Sequence, residues 1–258
     1  MPTALEDIVA KLERADEHIA QLKREIKTLW RETPNSTLVN YNSQSAEAFR
    51  DFHRNRAIPA KFMVIAGEII YQLRSSIDHL TCALILRDGG TLSDKSQFPI
   101  YRFRPTKKDE IRRYEGQVKG ITRSDVLTYI ERSQPYHRLN DRDRHWLAIL
   151  KVLSNTDKHR SLVLHVALVK PKIRVFMASD DGDITMTGES LDNGTDPPTA
   201  VSRGEKLVRI VNMERKLATD VAFAQFGECV TDYPVIKGLK ELRDSARSVV
   251  ADLARFLL

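Results

Sequence analysis

The feature that most constrains the fold is a change in sequence periodicity at residue 160. Apolar residues recur at helical spacing before this point, form alternating or β-branched runs from residue 162 to residue 226, and return to helical spacing from residue 235. A helix buries one stripe of side chains, whereas a strand buries alternate residues. The sequence therefore predicts an α+β protein that is mainly α, a helical bundle with an antiparallel β-sheet insert before the C-terminal helix.

This plan divides the 258-residue chain into three segments. Residues 1–160 are predicted to form a helical domain, and residues 161–230 an antiparallel β insert of four or five strands. Residues 231–258 are predicted to form a C-terminal helix that packs back on the helical domain. Asp-Gly, Asn-Gly and Pro-Pro dipeptides separate the runs of the insert and are typical of turns. Residues 192–198 are expected to form a mobile loop.

Helical spacing is clearest in the first 31 residues, where apolar side chains form a heptad seam. Such a seam suits a helical hairpin within the domain or a short coiled coil between two copies of the chain, so a homodimer is one option. Residues 37–57 lack a helical period and are expected to be extended or a hairpin. Further helices are predicted at residues 61–87, 106–116, 123–133, 141–153 and 235–257.

The charge balance favours an anionic partner. The chain has 41 basic and 35 acidic residues, a net charge of +6 and a pI near 9.3. RNA or a nucleotide is the partner that this composition favours, although many basic proteins of this size bind neither.

The sequence predicts a cytoplasmic protein without a membrane segment. Its two cysteines, Cys82 and Cys229, lie far apart in apolar surroundings, which indicates buried thiols in a reducing compartment. No run approaches the roughly 18 apolar residues that a membrane span needs. The N-terminus lacks the basic start and apolar core of a signal peptide.

Two polar segments hold the groups that could carry chemistry. The first lies on the predicted helix 61–87, where the side opposite the apolar stripe presents Tyr71, Gln72, Asp78 and His79, with Arg74 at its margin. The alternative interpretation is a surface ion pair between Arg74 and Asp78, at i and i+4, beside a hydrogen-bonded histidine.

The second segment, Asn155-Thr-Asp-Lys-His-Arg160, follows the predicted helix 141–153. Its alternative interpretation is an ordinary helix C-terminus, where cationic side chains complement the helix dipole. If helices 61–87 and 141–156 pack antiparallel, both segments would meet in one cleft. Such a cleft would hold what a metal-free ribonuclease needs: a base on the 2′-hydroxyl, an acid on the leaving 5′-oxygen and a cation on the phosphorane.

The spacing Arg74-x4-His79 resembles the signature of the HEPN superfamily (higher eukaryotes and prokaryotes nucleotide-binding domain), in which four to six residues separate an arginine from a histidine. The resemblance implies an all-helical core, frequent dimerisation and metal-independent endoribonuclease activity, in toxin, defence and RNA-processing settings. Residues 60–165 are also similar to a family of uncharacterised bacterial proteins. On an ideal helix Arg74 and His79 point about 140° apart, so they share a site only through an irregular helix or a partner chain.

The leading hypothesis is therefore a HEPN-like protein that binds RNA and cleaves it without metal. His79 and His159 would act as acid and base, and Arg74 and Lys158 would stabilise the phosphate. Asp78 and Asp157 would orient the imidazoles, and Asn155 would donate a hydrogen bond. The residues that would bind RNA are Tyr71, Gln72, Tyr136 and Arg160.

Two rival hypotheses remain. In one, the chain is a non-catalytic module that binds a nucleotide or a protein, and its polar cluster is a structural network. In the other it is a metal-dependent hydrolase that uses Asp78, His79, Asp157, His159 and His145. The second lacks the His-x3-His or His-Glu-x2-His spacing of known metal sites, so no metal or other cofactor is predicted.

Overall fold

A computed structural model describes residues 3–32, 36–40, 57–178, 184–189, 200–203, 206–228 and 230–257. The chain divides into two compact units. One contains residues 1–25, 59–164 and 223–258, and the other contains residues 26–58 and 165–222. Helices dominate the described residues and an antiparallel sheet precedes the last helix, which confirms the predicted α+β, mainly α class.

The helices begin and end close to the predicted positions. They are α1 (Ala4–Glu32), α2 (Ala60–Arg87), α3 (Lys108–Gln117), α4 (Ser124–Arg132), α5 (Trp146–His159) and α6 (Val235–Ala254). Short 3-10 turns at Pro135–His137 and Arg142–Arg144 precede α5. Among the described residues, no helix is long and apolar enough to cross a membrane.

The apolar seam of α1 is buried within the chain. Its members Ile8, Leu12, Ala15, Ile19 and Leu22 are at most 4% exposed. Polar contacts fix the same helix on both sides: Asp16 pairs with Arg243 and Arg247 of α6, and Glu25 pairs with Lys61 of α2 at 2.6 Å. The seam is therefore used for packing inside the chain, as a helical hairpin would use it.

The start of α5 differs from the predicted one. Residues 142–144 form a 3-10 turn, and the α-helix begins only at Trp146. The reason is a cap: His145 Nδ1 accepts a hydrogen bond from the backbone N–H of Leu147 at 3.2 Å. The helix then continues to His159, so residues 155–159 lie on its last turns and not beyond its end. Their side chains therefore point in different directions at about 100° per residue.

The strands are β1 (Ser36–Asn40), β2 (Leu164–Ala178), β3 (Ile184–Glu189), β4 (Ala200–Arg203), β5 (Lys206–Phe226) and β6 (Val230–Pro234). Their order is β1-β5-β2-β3, and β4 and β6 also pair with β5. The pairs with a described register are antiparallel, with Ser36 opposite Ala218, Lys172 opposite Glu189 and Ala200 opposite Arg209. Because β1 pairs with β5, Ser36–Asn40 belongs to the sheet, whereas the sequence placed these residues in the helical domain.

Two predicted strand boundaries do not exist. Residues 164–169 of the first run and the run 173–177 are parts of one strand, β2, and the runs 206–211 and 221–226 are parts of β5. Pro171 does not end β2, since it lies just before the residues that pair with β3. Residues 41–56 of the predicted extended segment and the predicted loop 192–198 lie outside the described residues.

Candidate functional site

A cavity of about 220 Å³ lies between α2, α3, α5 and the loop around residue 98. We call it the Arg74 pocket. Four of its lining side chains are cations, and none is an aspartate, glutamate or histidine. The lining residues are Arg74, Gln97, Phe98, Ile100, Tyr101, Arg113, Gln117, Lys151, Ser154, Asn155 and Lys158. The cavity thus joins one predicted residue of α2 to two predicted residues of α5.

Hydrogen bonds on one side of the Arg74 guanidinium hold it in place. Its Nη2 donates to the carbonyl of Phe98 at 2.9 Å and to Asp78 Oδ1 at 2.8 Å. Asp78 Oδ1 also accepts the backbone N–H of Phe98 at 2.9 Å. The Arg74 side chain is only 13% exposed. The pair is therefore not the surface ion pair of the alternative interpretation, because it anchors the Phe98 loop as well as the helix.

The other side of this guanidinium is unpaired. Arg74 Nη1 is buried and has no hydrogen-bond partner among the described residues, and the same is true of the Tyr101 hydroxyl and the Gln117 side-chain oxygen. Burial lowers the pKa of Arg74, and the negative charge of Asp78 opposes that shift. Burial likewise raises the pKa of Asp78, against the influence of Arg74. Buried polar groups without partners are rare, and a bound ligand is one explanation for them.

Helix α5 supplies the opposite wall of the Arg74 pocket. Lys151, Asn155 and Lys158 recur at steps of four and three and so lie on one face. Lys151 Nζ donates to the carbonyl of Ile100 at 2.8 Å and lies 5.5 Å from the centre of the Tyr101 ring. Burial lowers the pKa of Lys151, and the positive charges of Arg113 and Arg74 lower it further. The cations of this wall are thus held close to other cations.

Asp157 lies outside the Arg74 pocket. It lines a separate cavity with His18, Glu68, Tyr71 and Gln72, so three of the predicted site residues meet there instead. In that cavity His18 Nδ1 is 3.6 Å from Glu68 Oε2. Burial raises the pKa of Asp157. This aspartate therefore does not orient an imidazole at the Arg74 pocket.

The position of Asp157 depends on Gly67. A Cβ atom at Gly67 would lie 2.3 Å from Asp157 Oδ1. A Cβ atom here would displace the Asp157 carboxylate, which is exposed and can rotate away, so we expect Gly67→Ala to change the free energy of unfolding by less than about 1 kcal/mol. In an Asp157→Ala background the same change should raise it by up to about 1 kcal/mol, because alanine favours a helix interior over glycine.

Urea unfolding of the unmodified protein, Gly67→Ala, Asp157→Ala and the double variant measures both effects. If Gly67→Ala stabilises the protein equally in both backgrounds, the close approach of Asp157 to α2 is wrong.

The two histidines of the proposed acid–base pair both lie outside the lining of the Arg74 pocket. His79 is exposed on α2, where burial and the positive charge of Lys11 on α1 lower its pKa. His159 is exposed on the last turn of α5, two residues after Asp157, which touches Gly67. Gly67 and His79 are separated by about 18 Å along the axis of α2, at 1.5 Å per residue. Neither histidine lines the Arg74 pocket, and their pairing as acid and base stays a prediction.

The two remaining predicted contacts also lie away from the Arg74 pocket. The Tyr136 hydroxyl donates to Glu131 at 3.3 Å, and the Arg104 guanidinium lies 5.3 Å from the centre of the Tyr136 ring. Burial and Glu131 raise the pKa of Tyr136 to about 12. Arg160 is exposed at the C-terminal cap of α5, where its backbone N–H donates to the Thr156 carbonyl.

Sequence reasoning missed more than half of the pocket lining. A usable signal existed for Lys151, which precedes Asn155 by one helical turn, and for Arg113 and Gln117, which are spaced i and i+4. Gln97 and Tyr101 carry no such signal, because they lie in a loop whose path depends on the Asp78–Phe98 hydrogen bond.

The rival hypothesis of a metal-dependent hydrolase needs a cluster of metal ligands. The part of the chain that the structure describes contains no group of three or more His, Cys, Asp or Glu side chains that could hold a metal ion. His145 caps α5, and His79 and His159 lie on different elements, so these candidate ligands do not converge.

Comparison with known proteins does not assign a family. The resemblance to the HEPN superfamily rests on Arg74 and His79, which lie in different surroundings here, and it stays a prediction. The functional conclusion accordingly depends on the chemistry of the Arg74 pocket. Searches against protein-family models, curated proteins and solved structures give no significant match.

Proposed function

We propose that this protein binds a phosphate-bearing ligand in the Arg74 pocket, and that the phosphate belongs to a nucleotide or to RNA. One observation carries the proposal. Four cations and no carboxylate line a single cavity, and one of them, Arg74, has a buried Nη1 without a partner among the described residues. An anion in this cavity would supply the missing acceptor and the missing negative charge.

The cations of the pocket are only partly neutralised. Asp78 pairs with Arg74 and also attracts Lys158, whereas Arg113 makes no ion pair with any described residue. Like charges that are close together and partly buried repel one another more strongly than they would in water. The lowered pKa of Lys151 has this repulsion among its causes. Binding of an anion would remove the repulsion, so the charge arrangement favours anion binding.

Phosphate fits this arrangement better than a carboxylate does. A phosphate monoester carries a charge of about −1.5 to −2 at pH 7 and three oxygen atoms that accept strong hydrogen bonds. Arginine binds such oxygens through paired N–H groups, and lysine adds a compact positive charge. The net charge of +6 for the whole chain would further favour the approach of an anion.

Binding without cleavage is the activity that this geometry favours. The HEPN resemblance implies RNA cleavage, which needs an acid and a base within hydrogen-bond reach of one phosphate. No histidine lines the Arg74 pocket. The lining of this pocket thus supplies no imidazole to act as acid or base.

Calorimetric titration with inorganic phosphate tests the proposal directly. We expect Lys151→Ala to weaken binding about tenfold or more, because a hydrogen bond between charged groups contributes roughly 1.5–3 kcal/mol. Lys23→Ala is the matched control, since it removes one positive charge from an exposed position on α1. We expect it to change the affinity less than twofold.

Two results would contradict the proposal: no phosphate binding by the unmodified protein, or an equal loss in both lysine variants. A parallel assay with labelled RNA in excess chelator separates binding from catalysis. Cleavage that survives chelation but is lost in both His79→Ala and His159→Ala would instead support the metal-free ribonuclease hypothesis.

A further inference from the structure

The Arg74 pocket continues into a groove along α3. Gln97, Arg113 and Gln117 line both the pocket and an adjoining cavity of about 460 Å³. The outer residues of that cavity lead into a third one of about 580 Å³, which reaches Gly116 and Lys119. We call the two outer cavities the α3 groove. Its own lining residues include Asp94, Lys95, Asp109, Arg112, Glu115 and Lys119.

The groove differs from the pocket in its charge. Beyond the shared residues it presents three cations (Lys95, Arg112, Lys119) and three carboxylates (Asp94, Asp109, Glu115). Arg112 and Asp109 lie 3.9 Å apart and partly neutralise each other. The pocket, in contrast, has four cations and no carboxylate. A ligand that spans both would be strongly anionic at one end and polar, with little net charge, along the rest.

We propose that the α3 groove is a second subsite, which holds the polar, uncharged body of a phosphate monoester whose phosphate lies in the Arg74 pocket. The inference rests on the proposed function. It assigns the ligand class as a phosphomonoester with a body of about nucleoside size, and it disfavours an RNA strand. A strand would place further phosphates along the groove, next to the carboxylates of Asp94, Asp109 and Glu115.

The test compares three probes: inorganic phosphate, ribose 5-phosphate and adenosine 5′-monophosphate. Phosphate reports on the pocket alone, whereas the other two add bodies of increasing length. We expect adenosine 5′-monophosphate to bind about tenfold tighter than phosphate, with ribose 5-phosphate between them, because each added contact lowers Kd.

A charge-balanced double variant assigns that gain to the groove. Asp94→Ala/Lys95→Ala removes one charge of each sign, so the net charge and the long-range attraction for anions are unchanged. We expect it to bind adenosine 5′-monophosphate with nearly the affinity of phosphate, and to bind phosphate within twofold of the unmodified protein. A far-UV spectrum and a melting curve check that it is folded.

The outcomes separate the two proposals. If phosphate binds but adenosine 5′-monophosphate binds no tighter, or if its gain survives in the double variant, the groove inference is wrong and the pocket proposal stands. If none of the probes binds, the proposed function itself is wrong. If a 5′-phosphorylated oligoribonucleotide binds much tighter than the mononucleotide, the ligand is an RNA strand and the monoester assignment fails.

Discussion

Replacing Arg74 with methionine is expected to abolish phosphate binding and to lower the free energy of unfolding by about 3 kcal/mol, the scale of breaking a buried ion pair. The guanidinium has two roles on its two sides. Nη2 is bonded to Asp78 and to the Phe98 carbonyl, and Nη1 is unpartnered. Its loss removes the ligand's proposed donor, and it leaves the Asp78 carboxylate buried without its cation.

A second substitution separates these two roles. In Arg74→Met/Asp78→Asn, the buried charge is absent and an amide oxygen can still accept the Phe98 N–H. We expect the double variant to be more stable than Arg74→Met alone, yet still unable to bind phosphate. Denaturant unfolding and calorimetric titration of the single and double variants measure these effects. If the stabilities simply add, the two residues are not coupled as described.

The stability loss in Arg74→Met should also depend on pH. Burial raises the pKa of Asp78, and Arg74 opposes that rise in the unmodified protein. Without Arg74 the native carboxyl holds its proton to higher pH than the unfolded carboxyl, whose pKa is about 3.9. The native state then binds more protons in this range, so stability falls as pH rises. We expect a smaller loss at pH 4.5 than at pH 7.5, and equal losses would contradict the burial of Asp78.

The helical period of the apolar residues predicted the helices well, because this period depends only on which side of a helix is buried. It also predicted that Arg74 and His79 point about 140° apart on an ideal helix. In the structure Arg74 lines the pocket between α2 and α5, whereas His79 is influenced by Lys11 of α1. The same rule separates Asp157 from Lys158, which line different cavities. A cluster in sequence is thus not a cluster in space when it lies on a helix.

The composition of the pocket depends on tertiary contacts that no local pattern encodes. Arg74, Asn155 and Lys158 were predicted and do meet. Arg113 comes from α3, and Tyr101 follows the Phe98 loop that Asp78 anchors; both reach the same cavity. The role of the strands in residues 165–222 was left open by the sequence, and the pocket residues all belong to the other unit.

His145 illustrates the same limit, since it was a candidate metal ligand and is instead the cap of the helix that carries Lys151 and Lys158. It is 7% exposed, and its Nδ1 accepts the Leu147 N–H at 3.2 Å. Only a neutral imidazole can accept this hydrogen bond. Burial, followed by the positive charge of Arg138, lowers the pKa of His145 to about 4. Acid should therefore weaken the start of α5.

The expected result is a loss of about 2 kcal/mol of unfolding free energy at His145 as pH falls from about 6.5 to about 4. The sign follows from proton uptake: between these values the unfolded chain binds a proton that the native imidazole does not, so stability rises with pH. His145→Asn keeps a side-chain acceptor for the Leu147 N–H but does not titrate. The unfolding free energy of His145→Asn should therefore not show this loss in acid. His159→Asn, at the exposed end of the same helix, should show the same loss as the unmodified protein. Denaturant unfolding at intervals of half a pH unit gives the unfolding free energy of each protein as a function of pH. If the unmodified protein and His145→Asn lose the same free energy as pH falls, acid does not act through the His145 cap.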